Sequence, residues 1–362
     1  MNLQSHRYFW VDALRGIAAL CIVVFHYHHF YLEDAFGRDA IPPIAEFPYA
    51  SVVWPLYSSF AANAVEMFWL ISGFVFAHVY LHRPTSAWQF SVARFARLYP
   101  LHFATLLYVA ILQLVSLNLV GHWQIYANND TKHFILQLFM SSNWNSWSHG
   151  LSFNGPIWSV SLEIVVYAIF FCSLYFLRRR PIASTISLLS ASWTIFYLYS
   201  SDLPFLKSGV FRCAGYFFLG SLVYLLQPDR NNYRLAIILL SGSMLVTLGI
   251  HFEIEDFYIS GFALAAVSLA ARLDKIFPVS GFRLSALGDI SYSVYLIHVP
   301  IQMTALVLAD LLFDGTREFA DSYLTLPIYL CISVVLASYA HRKFERPVGA
   351  FIRQKLSHPR PN

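Results

Sequence analysis

Apolar stretches about 20 residues long recur from one end of this chain to the other, and that length is what a helix needs to cross about 30 Å of hydrocarbon. They fall at residues 12–31, 58–81, 98–120, 156–177, 182–200, 209–227, 233–251, 256–272, 287–309 and 323–343; the stretch 256–272 is short and rich in Ala and Ser. Inside a bilayer each backbone N–H and C=O must be satisfied without water, so such runs fold as helices. The expectation is an all-α polytopic membrane protein with about ten transmembrane helices. Composition agrees: 57% of the 362 residues are hydrophobic, 17% aromatic and only 12% charged, where a soluble domain carries about a quarter charged.

Basic residues set the expected orientation. One set of connections holds Arg83, Arg94 and Arg97, then Arg178, Arg179 and Arg180, then Arg230 and Arg234, then Arg272, Lys275 and Arg283, and finally the tail from Arg342 to Arg360. The other holds only Arg38, Lys132, Lys207 and Arg317, beside Glu33, Asp34, Asp39, Glu253, Glu255, Asp256, Asp314 and Glu318. By the positive-inside rule the first set and both termini are cytoplasmic. A net charge of +4 from 24 basic and 20 acidic residues gives no case for a nucleic-acid partner. Cys21, Cys172, Cys213 and Cys331 lie in apolar runs without CxxC spacing, which suggests neither a disulfide framework nor a metal site. The first apolar run carries Arg15 and His26 and has no small-residue cleavage site, so it is expected to stay as the first span rather than be removed. With no repeat and no low-complexity linker, residues 1–362 are expected to form a single integral-membrane domain.

Two non-cytoplasmic loops are long. The first, 32–57, contains Pro42, Pro43, Pro48 and Pro55 and is expected to be irregular. The second, 121–155, carries Trp123, Trp144, Trp147, Asn128, Asn129, Asn143, Asn145 and His149. Tryptophan faces with neighbouring amides suit a sugar; an aromatic belt at the headgroup level accounts for the same residues. Within it, TKHFILQLFM is apolar but too short to span, and reads as a re-entrant or interfacial helix.

Polar residues inside the spans mark the candidate site, because they are costly against lipid. Arg15 and His26 are eleven positions apart, which puts them on one helical face roughly 16 Å apart. Asn154, Gly155 and Pro156 form a cap and first-turn signature for the fourth span, leaving Glu163 roughly 10 Å below the outer boundary. Trp158, Ser159, Ser161 and Glu163 make WSVSLE a polar patch, with Ser159 and Glu163 sharing a face. A carboxylate beside His26 is the arrangement of a tuned general base, and Glu163 reaches comparable depth. Arg94 and Arg97, spaced i, i+3 in RFARLYP, suit the phosphates of a nucleotide-like donor. Ser72 and Gly73 in MFWLISGF permit close approach of a helix or ligand, and Ser291, Tyr295 and His298 in SYSVYLIH share a polar face.

LRGIAAL with its arginine and histidine, FWLISGF, RFARLYPLH, WSVSLE, SYSVYLIH and the closing FERP occur in the order seen in the acyltransferase 3 family of integral-membrane acyltransferases, which this chain resembles over nearly its whole length. It resembles the stand-alone form, without a following SGNH-hydrolase-like domain. The resemblance implies transfer of an acyl group, usually acetyl, from cytoplasmic acetyl-CoA to a hydroxyl of an extracytoplasmic glycan, lipid-linked sugar or related acceptor, in the cell (inner) membrane and without a metal. It carries catalytic roles onto Arg15, His26 and Glu163, and acyl-CoA binding onto Arg94 and Arg97, with Ser72 beside them; Trp158, Ser159, Ser161, Tyr295 and His298 would line the acceptor cavity. Acceptor identity does not carry over. A proton-coupled transporter or flippase of an envelope glycan or lipid is the alternative that intramembrane Arg, His and Glu also fit.

Overall fold

A computed structural model describes residues 7–145, 150–199 and 206–357 of the chain. Among these residues every regular element is a helix. The α-helices are α1 (Phe9–Phe25), α2 (Ala50–Tyr57), α3 (Ser59–Ala62), α4 (Ala64–Tyr80), α5 (Ala87–Leu119), α6 (Thr131–Leu138), α7 (Ile157–Arg179), α8 (Pro181–Leu198), α9 (Ser208–Leu226), α10 (Asn232–Phe252), α11 (Glu255–Ile276), α12 (Pro278–Leu312), α13 (Thr325–Ala340) and α14 (Arg346–Ser357). The protein is an all-α polytopic membrane protein. Trp147 and His149 lie outside the described residues.

Nine helical segments among the described residues are long and apolar enough to cross a membrane. The tenth expected stretch, 323–343, opens with α13, 16 residues long, and stays helical beyond it. The helix then widens into a π-helical turn, His341–Glu345, before α14. Elsewhere the helices outrun their apolar runs. α5 starts at Ala87 because Ser86 and Gln89 form a capping box, each side chain satisfying the other's free backbone N–H. Arg94 and Arg97 therefore ride on a helix. The loop 32–57, expected to be irregular, holds two 3-10 turns, Arg38–Ala40 and Ile44–Glu46, and then α2.

The chain folds as two compact units. The first comprises Met1–Ala18, Asn63–Thr85 and Leu162–Asp289; the second comprises Ala19–Ala62, Ser86–Ser161 and Ile290–Asn362.

In the first unit α4 and α9 pack backbone to backbone. A Cβ on Gly73 would stand 1.7 Å from the carbonyl oxygen of Phe217, and one on Gly220 would stand 1.9 Å from that of Leu70. Small residues at both crossings let the helices close, and Met67, Leu70, Ile71, Phe74, Val223, Leu264 and Val267 fill the core around them. One buried ion network ties three helix starts together. Arg212 of α9 reaches Glu66 of α4 at 2.6 Å and Asp256 of α11 at 2.7 Å, while Tyr216 donates to Asp256 at 2.8 Å. Removing such a guanidinium strands buried carboxylates, which costs roughly 3 to 5 kcal/mol.

In the second unit proline placement dictates the ties. Pro300 lies inside α12 and brings no N–H, so the carbonyl of Leu296 loses its helical donor. Asn154 fills the vacancy, donating its side-chain amide to that carbonyl at 2.9 Å and to Thr105 at 3.1 Å. The side chain of Asn154 is thus a buried tie rather than the helix cap its position suggests. Gln137 of α6 donates to the Ser152 hydroxyl at 3.1 Å, and the backbone carbonyl of Gln137 meets the His102 ring at 2.7 Å. These bonds fasten the short helix, expected from TKHFILQLFM, onto α5 and the approach to α7.

Candidate active site

The segment after α1 changes helix type. The α-helix stops at Phe25 and residues His26–Tyr31, HYHHFY, wind as a 3-10 helix. With three residues per turn, positions i and i+3 eclipse, so His26 and His29 fall on one side, their rings tilted at 46°, while Tyr27 and Phe30 share another. Tyr27 and Tyr31 hold the segment by donating to the carbonyl of Ala320 at 2.6 and 3.1 Å, and Phe47 stacks on Tyr31 at 4.9 Å between centroids.

The histidines that remain form a cluster with His298 of α12. The His26 ring lies 4.9 Å from that of His29, 6.0 Å from His28 and 5.0 Å from His298, centroid to centroid. Each Nδ1 faces an oxygen that can only accept: His26 faces the carbonyl of Ile22 at 2.9 Å, His28 that of Phe25 at 2.8 Å and His298 that of Val294 at 3.2 Å. In the neutral rings Nδ1 therefore carries the proton and Nε2 the lone pair. His298 turns that lone pair toward Nδ1 of His26 at 3.3 Å. His298 is fully buried and His26 is partly exposed. The Nε2 of His26 is thereby the basic nitrogen of a ring clamped at its other side, which is the geometry of a general base.

Glu163 belongs to the first unit and is buried. Its two oxygens accept from Ser72 at 2.8 Å and from Tyr167, one turn further along α7, at 2.9 Å. Ser72, expected beside the donor, is a partner of this carboxylate. In the second unit, Ser159 shares a hydrogen bond with Tyr295 at 2.8 Å, and Tyr295 also donates to the carbonyl of Pro156 at 2.9 Å. Ser161 accepts the backbone N–H of Asn143 at 2.9 Å, and its carbonyl accepts the indole N–H of Trp144 at 2.7 Å. The Trp144 indole N–H is thus spent on the fold. Trp158 is partly exposed and Ser291 is buried.

Arg15 lies in the first unit, bonded to the carbonyl of Gly288 at 2.8 Å and to Asp12 at 3.1 Å. Gly288 also accepts close approach, since a Cβ there would stand 2.2 Å from the carbonyl oxygen of Asp12.

Arg97 pairs with Glu345, whose carboxylate also accepts from Ser293 at 2.5 Å. The guanidinium lies 5.6 Å from the ring centroid of Tyr292. Glu345 is 2% exposed and closes the π-helical turn, a feature that often marks functional positions. A guanidinium oriented by a carboxylate and a ring is a group of the kind that suits phosphate recognition.

Several members of these constellations were not singled out from sequence. Tyr167 follows Glu163 by four residues and Gln302 follows His298 by four, so helical spacing contains the signal for both. Glu345 sits in the FERP stretch, but its pairing with Arg97 spans 248 positions. Nothing in the spacing signals that His26 and His29 eclipse, because that depends on the 3-10 winding.

A family model described as an acyltransferase domain, that of acyltransferase 3, matches residues 8–342. The chain is 31% identical over 181 residues to protein 2 in the picA locus of Rhizobium radiobacter, covering 45% of this chain and 81% of that protein. It is 25% identical over 285 residues to nodulation protein 10 of Rhizobium leguminosarum bv. viciae, covering 70% of this chain and 76% of that one. No solved structure matches it.

Proposed function

We propose that this chain, which belongs to the acyltransferase 3 family and is an integral-membrane acyltransferase, moves an acetyl or related acyl group from cytoplasmic acyl-CoA to a hydroxyl of an extracytoplasmic glycan or related acceptor in the cell membrane. The observation that carries the reading is the imidazole cluster, in which Nδ1 of His26 is committed to the Ile22 carbonyl and Nε2 bears the lone pair.

In the proposed step the acceptor O–H gives its proton to Nε2 of His26 as its oxygen bonds to the thioester carbonyl carbon. The carbon–sulfur bond then breaks, and the CoA thiolate leaves with the electron pair and is reprotonated from the imidazolium. His298, with its lone pair toward Nδ1 of His26, stabilises the imidazolium formed in between. Arg97, oriented by Glu345, and Arg94 are assigned the donor's phosphates. Arg15 and Glu163 enter the reading through the family motifs. Tyr295 and Ser159, already bonded to each other, are assigned to the acceptor side.

Mass spectrometry of envelope glycans from cells with and without the chain tests the reading. Loss of one acetyl mass per glycan repeat supports it. Unchanged acylation with altered glycan export would replace it with the transporter or flippase.

A further inference from the structure

Gln302 lies one turn beyond His298 on α12 and is fully buried. Its Nε2 donates to the backbone carbonyl of His26 at 2.6 Å, and its Oε1 meets Nδ1 of His29 at 3.0 Å. The orientation of this amide follows from chemistry. A carbonyl oxygen only accepts, so the atom facing it is the NH2 group; the atom facing His29 is then the oxygen, and Nδ1 of His29 must be a donor. A single buried amide thus uses both of its ends on the histidine cluster.

The bond to His26 falls at a demanding place. Here the chain passes from α-helix to 3-10 winding, and the residue at the junction is the one that supplies the base. Its ring is held by the Ile22 carbonyl and His298, and its peptide group by Gln302. His298 and Gln302, spaced i, i+4, present one face of α12 to the cluster, so that face holds both the ring and the backbone of His26. Misplacing a reacting group by about 1 Å can cost 10²-fold in rate.

We infer that Gln302 is the positioning residue of the acyl-transfer site, clamping the His26 peptide with one end of its amide and fixing the neighbouring His29 ring with the other; this rests on the proposed role of His26 as base. The groups facing the clamp are His26, His28, His29 and His298. None of them substitutes for it: His26, His28 and His298 direct Nδ1 to backbone carbonyls, and His29 directs its own to Gln302 itself.

The test uses the full-length protein in nanodiscs, with radiolabelled acetyl-CoA and a chemically deacetylated envelope-polysaccharide extract as probes. Gln302→Met keeps the length and buried volume but neither donates nor accepts as an amide does. The expected result is a fall in kcat of about 10²-fold with KM for acetyl-CoA within about twofold. In nitrogen-15 histidine spectra the Nδ1–H signal of His29, assigned with His29→Gln, should move as its acceptor is lost. A Gln302→Met protein with a wild-type thermal transition, kcat within about twofold of wild type and an unmoved His29 signal would overturn the inference. Should Gln302→Met fail to fold, Gln302→Glu takes its place: it preserves shape and the acceptor toward His29, yet as a carboxylate it cannot donate to the His26 carbonyl. Near-wild-type kcat in that variant sinks the clamp equally. His26→Ala is measured in parallel. Turnover retained there removes the underlying reading, whereas turnover lost there but kept in the Gln302 variants removes only the positioning role.

Discussion

Arg97 and Glu345 form an ion pair across 248 positions of sequence, with the carboxylate buried and the guanidinium partly exposed. The burial is lopsided, and it separates two consequences that a single substitution would mix. Losing the cation leaves Glu345 charged and buried, a matter of stability. It also removes the group assigned to the donor phosphate, a matter of binding.

Arg97→Ala should therefore fall short on both counts, destabilising by roughly 3 to 5 kcal/mol for the stranded carboxylate. Donor affinity should drop about ten- to 150-fold, the equivalent of about 1.5 to 3 kcal/mol for a charge-assisted contact. Adding Glu345→Gln to Arg97→Ala should restore most of the thermal stability and none of the affinity. Thermal unfolding and acetyl-CoA titration of the three proteins check this, and recovery of affinity in the double variant would remove Arg97 from the donor site.

At the base itself, His26→Ala should lower kcat by about 10²- to 10⁴-fold while expression in the membrane stays at the wild-type level. The half-buried ring is held by contacts rather than filling a core, so its loss should leave the thermal transition close to wild type. Near-normal turnover in purified His26→Ala protein would end the assignment.

Asp130 offers a pH-dependent check on the loop that carries α6. It caps that helix, accepting the backbone N–H of His133 at 2.9 Å, with the His133 ring also at 2.9 Å. The backbone N–H of His133 foremost, and then its side chain, hold the Asp130 carboxyl below its ordinary value. A depressed folded-state pKa means the contribution is present above the unfolded value, about 3.9, and is lost as pH falls through the folded value. Because Asp130 is largely exposed, solvent screens its ion pair, and the cap rather than the pair sets the size: about 1 kcal/mol. Asp130→Ala should thus speed amide exchange in α6 about fivefold at neutral pH. The ratio to wild type should shrink toward one below about pH 4. A pH-independent ratio would show that the carboxylate is not the cap.

How far the sequence could be read depended on which force specified each feature. The bilayer imposes span length and hydropathy on the chain, so α1, α7, α9 and α12 were legible as apolar runs. The stretch of α13 was legible in the same way, but the π-helical turn that follows it was not, because hydropathy does not distinguish one helical winding from another. Polar residues inside apolar runs announce themselves by their cost, which is why His26, Glu163 and His298 stood out. Their partners did not. His26 meets His298 across 272 positions and Glu163 meets Ser72 across 91, and such pairings belong to helix packing, on which spacing within one segment is silent. The Gly73 crossing lay between: a small residue signals close approach, but only the packed helices identify Phe217 as the neighbour.

Membrane orientation is the remaining premise, and α5 allows both sides to be tested on one element. Its 33 residues rise about 50 Å, so Ser91 near its start and the 121–131 segment after its end belong to opposite faces of a bilayer. The arginine asymmetry puts Ser91, with Arg94 and Arg97, in the cytoplasm, and puts Lys132 of α6 outside. Both positions are exposed, so a cysteine at either should react without disturbing the core. On a background with the four native cysteines replaced by serine or alanine, Lys132→Cys should label with an impermeant maleimide in intact cells. Ser91→Cys should label only after permeabilisation. The reverse pattern would turn the molecule over and carry Arg97 and Glu345 to the outer face. The cytoplasmic acyl-CoA pool could then no longer reach the site assigned to its phosphates, and trans-membrane transfer by this chain would have to be given up.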